Sequence, residues 1–320
     1  LEKLVQVYAT TAVKERLYTG SAHPKVTVTM ADERTDWLDF RFDMDGIRES
    51  DIRSLIKSVE EKRKYYRLQN GALLPLESRE FQEMIQFMNE VGIRYSDLIG
   101  AGVQLPIVRG LHLMDSDRQG NMVTLDKSFR RLLENMRNPD NLDFPVPNSL
   151  VHVLRDYQKY GFQWLKTLAH YQFGGILADD MGLGKTIQSI AYIVSELTEI
   201  RQCKLPVIIV CPASLVYNWF NELKRFAPEV VAIIVDGNKT ERLSTLSNTS
   251  QFDVIITSYP LLRMDVSQFS QLAFHTLFLD EAQVFKNHTT QTAQSVKQIQ
   301  ARHTFALTGT PIENSAQELW

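Results

Sequence analysis

The stretch that decides the fold is Leu177-Ala-Asp-Asp-Met-Gly-Leu-Gly-Lys-Thr186. The apolar run 175–178 is typical of a buried strand, and residues 186–194 after the glycines have the spacing of a helix. A strand, a glycine loop and a helix N-terminus in this order favour bound phosphate, because the backbone N–H groups of the loop and the helix dipole both attract negative charge. The sequence therefore predicts a P-loop.

Two side chains of this loop have defined roles in such a site. We expect Lys185 to reach the β- and γ-phosphates of a nucleotide and the Thr186 hydroxyl to hold Mg²⁺. Asp179 stands where the usual motif has its first glycine, so the pattern is an incomplete match. The residues predicted to contact the nucleotide are Met181, Gly182, Leu183, Gly184, Lys185 and Thr186.

The second half of the chain alternates short apolar runs with helical stretches. Continuous apolar runs separated by helices predict a parallel sheet that is covered on both faces. Ligands of such sheets bind at the carboxyl ends of the strands, where the P-loop also lies. The predicted strands are residues 175–178, 207–211, 230–235, 254–257, 276–279 and 304–307.

Two carboxylates follow the strand at residues 276–279. We expect Asp280 to hold Mg²⁺ and Glu281 to orient the attacking water. An Asp-Glu pair alone is a common polar strand end, but a P-loop on the same sheet favours the catalytic interpretation. The next strand leads into Gly309-Thr-Pro311, a turn that could sense the state of the γ-phosphate.

Composition narrows the class of protein. A length of 320 residues predicts two domains. The composition, 44% hydrophobic and 23% charged with a net charge of −3, is ordinary for a globular protein. Only Cys203 and Cys211 are present, so neither a disulfide framework nor a zinc site is expected. No apolar run approaches a membrane span and no signal peptide opens the chain, so we expect no membrane and a cytoplasmic protein. The ends at Leu1 and Trp320 predict a fragment.

The first half predicts a small α+β domain. Strands are expected at 25–30 and 38–44, where apolar and polar residues alternate. A helix with Ser50 as N-cap follows, then a hairpin at 64–74, and a second helix that Gly92 ends. The basic stretches of this half are interpreted as solvated helix faces rather than nucleic-acid patches.

A segment rich in Pro, Asn and Asp separates the two halves. Residues 138–147 resist helix formation and predict a linker. We therefore expect an accessory domain at 1–148 and an α/β lobe at 149–320.

Three strings together resemble the SWI/SNF-type ATPases of helicase superfamily two. They are residues 179–186, Asp280-Glu-Ala-Gln283 and Leu307-Thr-Gly-Thr-Pro-Ile-Glu-Asn314. Supporting motifs of that family match in the same order. They are Leu154-Arg-Asp-Tyr-Gln158, Cys211-Pro-Ala-Ser-Leu215 with Asn218-Trp219, and Ile256-Thr-Ser-Tyr259. Asp180 replaces the usual glutamate of the family, and Gln283 stands where many members have histidine.

The resemblance implies further site residues. It implies that Gln158 hydrogen-bonds the adenine of ATP, and that Gln283, Thr308 and Thr310 couple the nucleotide state to DNA. It also implies non-specific contacts with the backbone of double-stranded DNA. Those contacts would come from Ser214, Asn218, Thr257, Ser258, Lys286 and Asn287.

The resemblance also implies the fold and the activity. The fold would be a RecA-like P-loop lobe, incomplete at its C-terminus and lacking the second lobe that supplies arginine fingers, so we expect weak turnover by this chain alone. The whole protein would be an ATP-dependent double-stranded DNA translocase that uses ATP and Mg²⁺ and displaces or remodels DNA-bound proteins. Residues 1–148 resemble the associated region of bacterial SWI/SNF-like proteins, which implies the bacterial cytosol or nucleoid and suggests autoinhibition or partner docking.

Two other functions remain as alternatives. One is an RNA helicase of the DEAD-box kind, against which the string Asp280-Glu-Ala-Gln283 argues. The other is a nucleotide-gated nucleic-acid-binding scaffold that no longer hydrolyses ATP. The intact residues Lys185, Thr186 and Glu281 argue against a loss of turnover.

Overall fold

The computed structural model describes residues 22–31, 34–114, 122–285 and 290–310. The chain divides into two compact units, Leu1–Glu134 and Asn135–Trp320. Within the described residues, no helix is both long and apolar enough to cross a lipid bilayer.

The first unit contains a four-stranded sheet and a separate hairpin. In the sheet the strand order is β5-β2-β1-β6, with β6 parallel to β1 and the other pairs antiparallel. The predicted hairpin is formed by β3 and β4. The six strands are β1 (Pro24–Ala31), β2 (Arg34–Met44), β3 (Tyr65–Arg67), β4 (Leu73–Pro75), β5 (Gly102–Pro106) and β6 (Val123–Leu125).

Alternation along β2 is confirmed. Leu38, Phe40 and Phe42 are buried, while Arg41 and Asp43 between and after them are exposed. One face of the strand therefore packs into the core and the other is solvated. The short strands β5 and β6 were not predicted, because their sequences have neither a continuous apolar run nor an alternation long enough to show a period.

Among the described residues of this unit, three helices accompany the sheet: α1 (Glu49–Glu60), α2 (Arg79–Val91) and α3 (Lys127–Arg137). The predicted N-cap of α1 is wrong, because the helix already begins at Glu49 after an extended Arg48, and Ser50 lies inside it. Acidic side chains in that first turn interact favourably with the helix dipole. Gly92 ends α2 in the left-handed conformation, as predicted.

The second unit contains the predicted parallel sheet of six strands, in the order β7-β12-β11-β8-β10-β9. In the part of this unit that the structure describes, seven helices connect or cover the strands: α4 (Asp156–His170), α5 (Lys185–Cys203), α6 (Val216–Phe226), α7 (Lys239–Leu246), α8 (Tyr259–Met264), α9 (Val266–Phe269) and α10 (Gln291–Val296). The strands are β7 (Gly175–Leu177), β8 (Val207–Cys211), β9 (Ala232–Ile234), β10 (Val254–Ser258), β11 (Ala273–Asp280) and β12 (Gln300–Leu307).

Both faces of this sheet are buried, as the continuous apolar runs predict. In β8, Ile209 contributes to one core cluster and its neighbours Ile208 and Val210 to the other. The same division holds in β11, where Phe278 belongs to the first cluster and Leu277 to the second. The sheet therefore has rigid strand ends on which a site can be built.

The predicted linker is packed on the second unit. The Gln163 side chain in α4 exchanges two hydrogen bonds with the backbone of Phe144, and the Thr167 hydroxyl donates to the Pro139 carbonyl. Asn135 likewise donates to the Tyr171 hydroxyl at 2.7 Å. The division between the compact units falls within α3, and the predicted domain boundary at 148 stays a prediction.

Candidate active site

The glycine loop connects β7 to α5, as predicted. Gly182 and Gly184 have φ angles of +85° and +79°, the left-handed conformation that glycine adopts without steric cost. Gly184 is the residue before the first turn of α5, which begins at Lys185, and half-buried Thr186 follows. The loop therefore leads into the positive end of a long helix, the arrangement that binds phosphate.

The Lys185 ammonium is held inside the loop. Its Nζ atom donates to the carbonyl oxygens of Asp179 at 2.6 Å and Asp180 at 3.1 Å. Behind the loop, the fully buried Gln188 donates to the Asp179 carboxylate at 2.9 Å. A phosphate group entering the loop would offer Lys185 stronger, charged acceptors than these carbonyl oxygens.

Gln158 anchors the same loop from α4. Its Nε2 atom donates to the Leu183 carbonyl oxygen at 3.0 Å, and its Oε1 atom accepts from the Arg155 backbone N–H. A Cβ atom at Gly184 would lie 2.4 Å from this Nε2 atom, so the close approach requires glycine. The structure thus gives Gln158 a loop-binding role, while its contact with adenine stays a prediction.

The acidic motif lies one strand away from the P-loop strand. Leu307 of β12 pairs with Leu177 at the end of β7 on one side and with Asp280 at the end of β11 on the other. Strands separated by one neighbour are about 10 Å apart. The parallel sheet therefore places the glycine loop and Asp280 at the same edge, with space between them for a phosphate chain.

Asp280 is buried and fixed by three hydrogen bonds. Its Oδ2 atom accepts from the Trp219 indole at 2.7 Å, its Oδ1 atom accepts from the Glu281 backbone N–H at 2.9 Å, and its carbonyl oxygen accepts from Tyr259 at 2.7 Å. Burial raises the pKa of the Asp280 carboxyl, while the Trp219 hydrogen bond and the charge of Lys185 act in the opposite direction.

Glu281 begins a chain of hydrogen bonds that joins the predicted coupling residues. Its carboxylate accepts from the Gln283 amide group, and the Gln283 carbonyl oxygen accepts from the Thr308 hydroxyl at 2.7 Å. The Thr308 oxygen in turn accepts from the Thr310 backbone N–H at 3.1 Å. Glu281 itself has φ +51°, which for a residue other than glycine costs about 1 kcal/mol and is common at functional sites.

The Gly-Thr-Pro turn also contacts the P-loop. A Cβ atom added at Gly309 would lie 2.8 Å from the Met181 side chain. The P-loop, the acidic motif and the start of this turn therefore form one continuous cluster. Residues 311–314 of the third string lie outside the described residues.

The donor set fits a bound Mg²⁺. An ionised carboxylate offers about four lone-pair positions. Asp280 uses one on each oxygen to accept from a protein donor, so one lone pair on each oxygen is left for a metal ion. Mg²⁺ prefers oxygen ligands, and it is usually held by one or two carboxylates together with phosphate oxygens. Thr186, at the second position of α5, carries a hydroxyl in the first turn after the glycine loop.

The predicted DNA contacts divide into three groups. Ser214 and Asn218 are exposed, in the turn after β8 and on α6. Thr257 and Ser258 are 0% and 3% exposed; the Thr257 hydroxyl donates to the Val235 carbonyl, and the Ser258 oxygen caps α8. Both hydroxyls thus have partners inside the protein, and the contact of Thr257 and Ser258 with DNA phosphates stays a prediction. The remaining two residues, Lys286 and Asn287, lie outside the described residues.

Sequence reasoning missed three supporting residues: Trp219, Tyr259 and Gln188. Trp219 and Tyr259 lie within matched motifs, and a buried indole or phenol needs a hydrogen-bond partner, which is a usable signal. The partner itself could not be deduced, because 61 residues separate Trp219 from Asp280.

A glycine loop, an acidic strand end and a polar turn on one edge of a parallel sheet define a P-loop nucleotide-binding lobe. Residues 157–320 match the family model described as SNF2-related domain, and residues 1–147 match the model described as bacterial SNF2 helicase associated. The chain therefore belongs to the SNF2 family of helicase-like ATPases.

Three relatives illustrate the similarity. The chain is 35% identical over 248 residues to a putative ATP-dependent helicase/translocase, YwqA, of Bacillus subtilis, covering 76% of this chain and 27% of that protein. It is 37% identical over 202 residues to the TATA-binding protein-associated factor MOT1 of Saccharomyces cerevisiae, covering 60% and 11%. A solved SWI2/SNF2 ATPase core of Sulfolobus solfataricus in complex with double-stranded DNA is 36% identical, covering 52% and 34%, with a TM-score of 0.48.

Proposed function

We propose that this chain provides the ATP-binding lobe of an enzyme that hydrolyses ATP in response to double-stranded DNA. The enzyme uses that energy to move along the duplex and to displace or remodel bound proteins. The observation that carries the proposal is the continuous chain of hydrogen bonds from Glu281 through Gln283 to Thr308. It links the carboxylate that orients water to a turn that can report changes at the phosphates. Family membership and the names of the curated relatives support the same function.

ATP binds with its phosphates on the N–H groups of the glycine loop. Lys185 exchanges the carbonyl oxygens of the loop for phosphate oxygens. Asp280 and Thr186 hold Mg²⁺, which when bound neutralises charge on the phosphate oxygens. Glu281 orients the attacking water and accepts its proton.

The DNA side of the lobe begins at the same sheet edge. Ser214 and Asn218 are exposed next to the carboxyl end of β8, where they can donate hydrogen bonds to phosphate oxygens. Lys286 and Asn287 complete the proposed contacts. Binding of this kind is non-specific and weakens as the salt concentration rises.

The chain spans about a quarter of the length of the Bacillus relative and about a tenth of the yeast relative. We propose that a second lobe supplies the missing catalytic groups, so the isolated chain turns ATP over slowly. We place the protein in the bacterial cytosol or nucleoid, and we propose that residues 1–148 regulate the motor or dock a partner. Deletion of those residues from the whole protein should then change DNA-stimulated turnover or partner binding; no change in either would contradict this role.

The experiment that tests the function is ATP turnover by the whole protein, titrated with duplex DNA, single-stranded DNA and RNA at one low salt concentration. Stimulation by duplex DNA supports the proposal. Stimulation by RNA alone would favour an RNA helicase, and ATP binding without stimulation by any of the three would favour a scaffold.

A single substitution tests the proposed catalytic role of Glu281. Glu281→Gln keeps the size of the side chain and removes the carboxylate, so ATP binding should persist while turnover falls by about 100-fold or more. Unchanged turnover in this variant would show that Glu281 does not act on the water.

A further inference from the structure

Trp219 connects the surface proposed to face DNA with the carboxylate proposed to hold Mg²⁺. It is the fourth residue of α6 and is only 1% exposed. Its Nε1 atom donates to Asp280 Oδ2 at 2.7 Å, across 61 residues of sequence. The contact joins α6 to the end of β11 at the sheet edge where the glycine loop also lies.

The hydrogen bond orients the Asp280 carboxylate and leaves lone pairs on its oxygens for a metal ion. Trp219 Nε1 and the Glu281 backbone N–H each donate to a different oxygen of Asp280, so the plane of the carboxylate is fixed by both donors. Each oxygen keeps a lone pair for a cation. Indole has a single N–H donor and no competing acceptor, so it can make this contact in one way only.

The other face of α6 is solvated. Asn218, the residue before Trp219, is exposed, and Ser214 is exposed in the Ala213–Leu215 turn that leads into the helix. Both are proposed to contact phosphates of DNA. Because one rigid helical turn carries Asn218 outward and Trp219 inward, a displacement of the helix start by DNA also moves the donor to Asp280.

We infer that Trp219 is a positioning residue through which a DNA backbone bound at Ser214 and Asn218 sets the affinity of the site for Mg²⁺–nucleotide. This inference rests on the proposed function and extends it. Linkage requires that Mg²⁺–nucleotide changes the affinity for DNA by the same factor that DNA changes the affinity for Mg²⁺–nucleotide.

The test measures binding rather than turnover. The dissociation constant of a fluorescent ADP analogue is measured for the whole protein in excess Mg²⁺ and in EDTA, each with and without duplex DNA. In Trp219→Phe the ring stays buried and the N–H donor is lost. We expect the Mg²⁺-dependent gain in affinity to fall at least about tenfold, since a hydrogen bond to a charged group is lost, and affinity in EDTA to stay unchanged.

Trp164→Phe is the matched control. It makes the same substitution on α4, where the ring packs near Gly175, and should leave both the Mg²⁺-dependent gain and its response to DNA unchanged. A general loss of folding would lower the affinity in EDTA as well, so the ratio of the two affinities separates positioning from stability.

Asn218→Ala tests the same inference by removing a proposed DNA contact. This variant can be used even if Trp219→Phe gives no soluble protein. At a duplex DNA concentration that saturates the variant, it should lose the effect of DNA on the Mg²⁺-dependent gain. Full retention of the gain and of the DNA effect in Trp219→Phe would overturn the inference, as would an unchanged DNA effect in Asn218→Ala. If duplex DNA stimulates turnover of the wild-type protein but leaves nucleotide affinity unchanged, the inference fails while the proposed function stands.

Discussion

Gln283 accepts a hydrogen bond from the Thr308 hydroxyl at 2.7 Å and donates one to the Glu281 carboxylate. Gln283 lies in the turn after β11, and Thr308 lies directly after β12, so two neighbouring strand ends are connected through one amide group. The carbonyl oxygen of the Gln283 amide accepts from Thr308, and its NH₂ group donates to Glu281. A shift of Thr308 would therefore change the orientation of the amide and its hydrogen bond with Glu281. The connection is therefore a physical route from Thr308, just before Gly309 and Thr310, to the Glu281 carboxylate.

Loss of the Thr308 hydroxyl should weaken coupling. Thr308→Val leaves the carbonyl oxygen of Gln283 without its donor, at a cost of about 0.5–1.5 kcal/mol. We expect turnover at saturating duplex DNA to fall about 3- to 10-fold, while ATP affinity stays close to the wild-type value. Thr308→Ser keeps the hydroxyl and is the control. Equal turnover in the two variants would show that the hydrogen bond does not transmit the signal.

Gln158 should matter for phosphate as well as for adenine. Gln158→Glu keeps the acceptor for Arg155 but replaces the amide that donates to the Leu183 carbonyl oxygen, so the glycine loop loses its anchor. We expect the affinity for inorganic tripolyphosphate, which has no base, to fall about tenfold along with that for ATP. Competition against a fluorescent nucleotide measures the affinities for tripolyphosphate and for ATP. A fall for ATP alone would mean that Gln158 reads adenine and does not shape the loop.

The contact of α4 with α5 leaves no room at Gly161. A Cβ atom there would lie 1.8 Å from Gln188 Oε1, and the fully buried Gln188 also holds Asp179 behind the glycine loop. Gly161→Ala should therefore lower the free energy of unfolding by about 1–3 kcal/mol, measured by urea denaturation. In a Gln188→Ala background the same change should cost less, because the clashing atom is gone. An equal loss of unfolding free energy in both backgrounds would show that the clash of Gly161→Ala is not with Gln188.

The parallel sheet and the P-loop were predictable because their signals are local. Continuous apolar runs mark buried strands such as β8 and β10, with five apolar residues in the first and three in the second, and a glycine pair before a lysine marks the phosphate loop. The carboxylates at the end of β11 follow from the same rule about strand ends. All of these features are contained in short windows of sequence.

The remaining features depend on contacts between distant segments. Burial of the Thr257 and Ser258 hydroxyls follows from the neighbouring strand β9 and from the start of α8, and no local pattern reports it. The same holds for the bond between Trp219 and Asp280. Residues 138–147 have the composition of a linker, yet they pack on α4 because Gln163 hydrogen-bonds the Phe144 backbone. Composition alone cannot show such a partner.

A buried histidine should make the stability of the fold depend on pH. His275 is 1% exposed, and its Nδ1 atom shares a hydrogen bond with the Thr276 hydroxyl. Within the described part of the chain its Nε2 atom has no hydrogen-bond partner, lying 3.8 Å and 3.7 Å from carboxylate oxygens of Glu196 and Glu199. Burial lowers the pKa of His275 to about 4, because the charged ring would lose its hydration.

The sign of the effect follows from where protons bind. Between pH 6.5 and pH 4 the unfolded chain protonates His275 and the folded chain does not, so the free energy of unfolding falls as the pH is lowered through this range. The loss from this group is roughly 3 kcal/mol and is complete below pH 4. His275→Asn keeps a donor toward Thr276 but does not titrate, so urea unfolding of this variant should change less steeply with pH. His152→Asn, at an exposed position, should keep the wild-type slope. A wild-type slope in His275→Asn would show that other groups cause the acid sensitivity.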